Sequence, residues 1–280
     1  MNKIESGEKL DFHNVLIRPK RSTLNSRSEV DLTREFKFKY SPVVWKGIPI
    51  ISANMDSTGT FEVCECLAQH SMLTALHKFY TIEDYKEFRN KQIHPDNFMI
   101  STGINDSAIE KLKEIFKVIA CNWICIDIAN GYISKLVDFC QEVRKEFPDK
   151  IIVAGNVVTR EIVEELILNG KVDVVKVGIG PGSACTTRIK TGVGMPQLSA
   201  VLECADAAHG VGGHIISDGG ITCPGDMAKA FGGGADFVMV GGRFAGHDQN
   251  PGEIEEIDGK KYKFFHGMSS DKAQQTHYGK

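Results

Sequence analysis

Eight short apolar runs, rich in β-branched residues, recur along the chain from residue 49 onward. They are PIISANM at 49–55, MLTAL at 72–76, FMIST at 98–102, WICIDIA at 123–129, IIVAGNV at 151–157, VDVVKVG at 172–178, HIISDGG at 214–220 and ADFVMVGG at 235–242. Their starts lie 21 to 28 residues apart, except for a gap of 42 between the sixth and the seventh. A strand followed by one crossover helix takes about that much chain. The runs are continuously apolar rather than alternating, so each strand must be covered on both faces, as parallel strands are inside a shell of helices. Eight such strands predict an α/β protein, a closed (β/α)8 TIM barrel. An open doubly wound sheet would carry a glycine fingerprint after its first strand, whereas here that run leads into Ser52-Ala53-Asn54-Met55-Asp56.

The segments between the runs read as helices. SAIEKLKEIF at 107–116 has Ser107 as its candidate N-cap, and TREIVEELILNG at 159–170 runs from Thr159 to a terminating Gly170. At 280 residues and 42% apolar, the chain suits one large catalytic domain spanning residues 1–280. Residues 1–48 form an N-terminal extension whose LDFHNVLIRP segment, stopped by Pro19, is expected to cap the bottom of the barrel. Beyond the eighth run, EIEEIDGKKYKFF at 253–265 sets Asp258-Gly259 between two alternating segments, a hairpin signal. SDKAQQTHYG is the only later helix candidate, with too little apolar surface to cover the eighth strand. Residues 243–280 therefore read as the start of a flap region, with the final helix and the flap itself absent from this chain.

A net charge of −3 offers no general attraction to nucleic acid or to an anionic membrane, so a nucleotide has to be held by a local site. No export signal and no long apolar span stand out, and a cytoplasmic location is expected. The eight cysteines include no CxxC pair and are read as reduced thiols rather than disulfides or zinc ligands.

Barrel enzymes build their sites at the C-terminal strand ends. The residues there are Asn54, Asp56, His77, Lys78, Ser101, Thr102, Asp127, Asn130, Asn156, Asp218-Gly219-Gly220 and Gly241-Gly242. The two glycine pairs suit a phosphate, because backbone N–H groups approach closely where no Cβ intervenes; the other reading is tight turns. The loop GIGPGSACTTRIKTGVGMPQ at 178–197 presents Cys185 in a glycine-rich setting. An ordinary thiol is only a few per cent ionised at neutral pH, and Arg188, Lys190 and oriented N–H groups would favour the nucleophilic anion. The other seven cysteines are taken as buried and inert. Thr186 or Thr187 could relay a proton beside the sulfur or simply cap a turn. The carbonyls of Gly180, Gly182 and Cys185 could curl around a monovalent cation. Asp218 could take ribose hydroxyls or cap a helix, and Asp127 and Lys78 could orient a second substrate. Histidines other than His77 show no ligand spacing and are assigned no role.

These residues resemble the family of GMP reductases and inosine monophosphate dehydrogenases. The likeness is carried by the Cys185 loop, SDGGITCPGD at 217–226, FVMVGG at 237–242 and HGMSS at 266–270. KTGVGMPQLSAVLECADAAHG at 190–210, DIANGY at 127–132 and the lack of a large insertion after the second strand are similar to the reductase branch. The resemblance implies NADPH-dependent reductive deamination of GMP to IMP and ammonia. Cys185 would attack purine C2, and Thr187 would help ammonia leave. Ser183, Asp218, Gly219, Gly220, Gly241, Gly242, Gly267, Met268 and Ser269 would surround the substrate. Ser26, Arg27, Lys78, Asp127, Ile128, Ala129 and Met268 would meet the dinucleotide. Gly180, Gly182, Cys185 and Arg188 would frame a potassium ion. The family further implies a homotetramer in which a neighbour supplies Ser26 and Arg27. Ile221 stands where a cysteine is frequent and Met195 where an aromatic is common. The alternatives are inosine monophosphate dehydrogenase activity or nucleotide binding without turnover.

Overall fold

A computed structural model describes residues 4–268 and 270–279. The eight runs become parallel strands β1 (Ile50–Ser52), β2 (Leu73–Leu76), β3 (Phe98–Thr102), β4 (Trp123–Asp127), β5 (Ile151–Val157), β6 (Val174–Val177), β7 (His214–Asp218) and β8 (Phe237–Val240). Each pairs with the next, and β8 returns to β1 with Val238 opposite Ile50 and Val240 opposite Ser52, which closes the (β/α)8 barrel. Every residue of β2, β3, β6 and β8 is buried, the outcome expected of continuous apolar runs.

Helices α1 (Phe61–Ala68), α2 (Ile82–Phe88), α3 (Ala108–Val118), α4 (Ser134–Glu146), α5 (Arg160–Leu168), α6 (Thr187–Thr191), α7 (Gln197–Gly210) and α8 (Pro224–Gly232) connect the strands. The α3 stripe Ala108, Leu112 and Ile115 is buried at helical spacing, and Leu166, Val163 and Ile167 do the same for α5. Ser107 and Thr159 occupy the N-cap positions of α3 and α5, but neither side chain bonds the helix backbone. The working caps are Thr60 and Thr81. Thr60 Oγ1 accepts from Val63 N at 3.3 Å, and Thr81 forms a capping box with Asp84.

The bottom of the barrel is closed by an antiparallel hairpin, Arg34–Lys37 with Val44–Gly47. It drives Phe36 and Trp45 against Phe237 and Trp123, the first residues of β8 and β4. Ring centroids are 4.6 Å apart for Phe36 and Phe237, and 6.2 Å for Trp45 and Trp123. The LDFHNVLIRP segment lies elsewhere. Leu10 N donates to Ser199 Oγ at 2.8 Å, and buried Phe12 reaches Gly220 at the opposite, C-terminal end of β7. The expected cap was thus assigned to the wrong stretch, because the aromatic pair that fills the opening sits on strands of only four residues.

Two buried carboxylates tie this end together. Asp173 accepts from Tyr40 N at 2.8 Å, Ile152 N at 3.0 Å and Arg144 Nη2 at 2.5 Å. Asp236 meets His209 Nε2 at 2.8 Å and His214 Nδ1 at 3.3 Å. Burial opposes its ionisation, but the hydrogen bonds from the two histidines prevail and hold the Asp236 carboxyl at about 2. These histidines, assigned no role from the sequence, therefore serve an ion-pair cluster. Past β8, the hairpin Ile254–Ile257 with Lys260–Lys263 turns at Asp258 (φ 51°) and Gly259 (φ 72°), as the Asp-Gly signal indicates. Helix α9 (Asp271–Tyr278) follows. Among the described residues no helix is long and apolar enough to cross a membrane.

Candidate active site

A cavity of about 640 Å³ opens at the C-terminal ends of the strands. Cys185, Thr187, Ser183, Gly180 and Gly182 enter it from the loop after β6, and Asp218, Gly219 and Gly220 from the end of β7. Gly241 and Gly242 follow β8, Lys78 follows β2, and Asp127, Ile128 and Ala129 end β4. Gly267 and Met268 close the ring. Residues from six separate chain regions thus face one space. Ser26 and Arg27 do not line it; they sit in an exposed 3-10 turn in which the Ser26 hydroxyl accepts from Ser28 N. Ser269 lies outside the described residues.

The loop after β6 holds Cys185 at the surface of the cavity. Its backbone N–H donates to Gly182 O at 3.1 Å, making a tight turn, and its thiol donates to Thr187 Oγ1 at 3.3 Å. Cys185 is exposed, whereas Cys121, Cys125, Cys140 and Cys204 are buried, and burial pushes their thiols up to about 12. The expectation that all other cysteines are buried fails at Cys223, which is exposed, and at Cys66, which is half-buried. Arg188 does not point at the sulfur as the sequence suggested. Its guanidinium donates to the carbonyls of Ile179, at 3.1 Å, and Met195, and so pins the two ends of the loop together. Gly180, at φ +73°, lets the Arg188 side chain pass where a Cβ would lie 2.6 Å from its Cγ. The carbonyls of Gly180 and Cys185 accept no hydrogen bond among the described residues, and that of Gly182 accepts one. Three such oxygens from one curled loop suit a hard monovalent ion.

The cysteine loop and the strand ends beside it offer donors. Among the described residues no acceptor takes the backbone N–H of Gly182, Ser183, Gly220, Gly241 or Gly242. A Cβ on Gly242 would stand 3.2 Å from Ser183 Oγ, so the two loops bearing these free N–H groups approach within contact. Gly219 adopts φ +90° where a Cβ would meet Pro181 Cγ at 2.9 Å, so only glycine lets β7 end this close to the cysteine loop. Unspent backbone N–H groups gathered in this way are of the kind that can cradle an anion.

Between cradle and β4 lies a charged cluster whose central member the sequence reading passed over. Lys176, in β6, has a side chain only 3% exposed, and its Nζ is 2.7 Å from both Asp127 Oδ1 and Asp218 Oδ2. Asn156 Nδ2 donates to the same Asp218 oxygen and to Gly178 O, each at 2.8 Å. Burial disfavours the ammonium, but Asp127 and Asp218 together outweigh it and raise the lysine above its usual range. Burial likewise works against the Asp127 carboxylate, and Lys176, with a hydrogen bond from Asn54, holds it below the usual range. Asp218 caps no helix; Cys223 precedes α8. The available signal was a lysine inside the run VDVVKVG, where every neighbour is apolar.

The segment after the second hairpin crosses the cavity mouth. A Cβ on Gly267 would lie 2.7 Å from Ala184 O, and Met268 Sδ accepts from Asp56 N at 3.4 Å. Asp56 Oδ2 also meets His277 Nε2 at 2.8 Å and His266 Nε2 at 3.4 Å, which fastens α9 and this segment to the top of β1. Beside them His77 stacks on Tyr80, and burial lowers its pKa to about 4, so it is neutral there.

Comparison with known proteins supplies the frame for this geometry. Residues 9–280 match the family model described as the IMP dehydrogenase / GMP reductase domain. The chain is 59% identical to the GMP reductase of Yersinia enterocolitica over 280 residues, which is 99% of this chain and 80% of that protein. It is 58% identical, with the same coverage, to the GMP reductases of Vibrio campbellii and Aliivibrio salmonicida. By matched length, identity and the exposed cysteine in its glycine-rich loop, the chain belongs to the IMP dehydrogenase / GMP reductase family of oxidoreductases.

Proposed function

We propose that the protein catalyses the NADPH-dependent reductive deamination of GMP to IMP and ammonia, with Cys185 as covalent nucleophile. The observation that carries this reading is an exposed thiol, 3.3 Å from a threonine hydroxyl, in one cavity with a cradle of free backbone N–H groups. The cradle suits a 5′-phosphate, and Asp218, between cradle and cavity floor, suits the ribose hydroxyls. A base projecting from that ribose meets the loop bearing Cys185.

The Cys185 thiolate adds to purine C2, and the ring nitrogen beside C2 takes up the charge and a proton. Thr187 passes a proton to the 2-amino group, which leaves as ammonia while sulfur stays bonded to C2; the 3.3 Å contact between its hydroxyl and the thiol supports that role. NADPH, when bound, supplies the hydride that replaces sulfur at C2. The sulfur departs as thiolate, and the products are IMP and the oxidised dinucleotide. Splitting deamination from reduction replaces one hard substitution by two easier steps. Lys78, Asp127, Ile128, Ala129 and Met268 line the same cavity and suit the nicotinamide end of the dinucleotide. The exposed Ser26 and Arg27 suit the cavity of a neighbouring copy, in a homotetramer. The free carbonyls of Gly180 and Cys185, with Gly182 and the loop-pinning Arg188, suit potassium. A reaction on soluble nucleotides fits the cytoplasm.

The test is the loss of NADPH absorbance on adding GMP, with IMP and ammonia formed in equal amounts. Production of NADH from IMP and NAD without that loss would favour the dehydrogenase instead. Tight nucleotide binding with neither reaction would leave a binding protein and refute the proposal.

A further inference from the structure

We infer that Lys176 is a positioning residue that couples the nucleotide half of the cavity to its dinucleotide half, an inference resting on the function proposed above. Asp218 ends β7 on the cradle side, and Asp127 ends β4 on the side of Lys78, Ile128 and Ala129. These two carboxylates share one buried ammonium, each at 2.7 Å. Lys176 lines the cavity with a side chain only 3% exposed, its aliphatic stem lying within a fully buried strand. The other groups facing the cluster are Cys125 from β4, Asn156 from β5, Asn54 after β1 and Lys78 after β2. Of these only Lys78 carries positive charge, and it acts on Asp127. Lys176 is therefore the cation common to both sides. It fixes one oxygen of each carboxylate and holds the Asp127 carboxyl below its usual range, leaving the other oxygens to the ligands.

Removing the ammonium leaves the two carboxylates without the cation they share and takes away the charge that holds the Asp127 carboxyl down, so that carboxyl rises. The oxygen that Lys176 holds on each carboxylate is then free to turn, so both ligands feel a change made at one residue.

The experiment measures KM for GMP and for NADPH, and the pH dependence of kcat/KM, in Lys176→Met, Asp127→Asn and Asp218→Asn. Lys176→Met is expected to raise both KM values about tenfold or more, with a smaller change in kcat, and to move the acid limb of the pH profile upward by about one unit. A purely structural lysine would leave that limb in place. Asp218→Asn is expected to raise KM for NADPH, and Asp127→Asn that for GMP, severalfold each. If Lys176→Met does not fold, the two carboxylate variants decide. Effects confined to each residue's own ligand, or an unmoved acid limb in a folded Lys176→Met, overturn the inference while GMP reduction by the wild type stands. Should the wild type consume no NADPH with GMP, the function itself falls, and calorimetric binding of GMP and NADPH to the same variants reads the coupling.

Discussion

Gly242→Ala separates binding from folding at the anion cradle. Gly242 is not in the left-handed region, so alanine costs the backbone little there. The new Cβ would stand 3.2 Å from Ser183 Oγ and 3.3 Å from Phe265 Cε1, contacts that side-chain shifts of a few tenths of an ångström relieve. What the methyl removes is the close approach of a phosphate to the free N–H groups of Gly241 and Gly242. Losing one charge-assisted hydrogen bond costs about 1.5–3 kcal/mol, or roughly 10- to 150-fold in affinity. Gly219→Ala supplies the contrast. Its φ of +90° and the 2.9 Å approach to Pro181 Cγ put the strain into the fold itself, about 1–3 kcal/mol. The assay pairs KM for GMP, read from NADPH absorbance, with Tm by thermal denaturation. Gly242→Ala should raise KM at least tenfold with Tm nearly unchanged, and Gly219→Ala should lower Tm by about 2–4 °C for each kcal/mol. A Gly242→Ala enzyme whose KM stays within twofold of the wild type would refute the cradle.

Three further outcomes follow from buried and exposed groups. His77 has its pKa lowered by burial to about 4 from 6.5, so at pH 5 the unfolded chain binds a proton that the folded one refuses. Its contribution, about 3 kcal/mol, is fully present above about pH 6.5 and is lost as pH falls toward 4. Urea titrations across that range should show His77→Asn with a flatter profile, and equal slopes in both proteins would contradict the assignment. Arg144→Met leaves the fully buried Asp173 without its cation and should cost about 3–5 kcal/mol, a fall in Tm of about 10 °C; a change under 2 °C would show the pair to be dispensable. Peptide mapping after brief alkylation should find label on Cys185 and Cys223, with saturating GMP protecting Cys185 alone. Protection of both, or of neither, would misplace the nucleotide.

The barrel was legible because strands covered on both faces read as unbroken apolar runs, and counting them gives the fold. The strand-end rule then found Asp127, Asp218, the two glycine pairs and Cys185 without any contact information. What escaped it depended on distance along the chain. Lys176 looks like a flaw in an apolar run until β4 and β7 bring Asp127 and Asp218 to it from 49 and 42 residues away. The hairpin at the barrel bottom was missed because four-residue strands carry one buried aromatic each, too little for a periodicity to show. Arg188 was expected at the sulfur because it is three residues away. The turn into α6 carries its side chain instead toward Ile179 and Met195.

Acid quenching of the protein with GMP alone, followed by intact mass measurement, examines the sulfur–carbon bond itself. Wild-type protein should carry a nucleotide, mapped to Cys185, that disappears as IMP when NADPH is added, and Cys185→Ala should stay unmodified and inactive while still binding GMP. A Cys185→Ala protein that continues to oxidise NADPH with GMP would contradict covalent catalysis by this thiol.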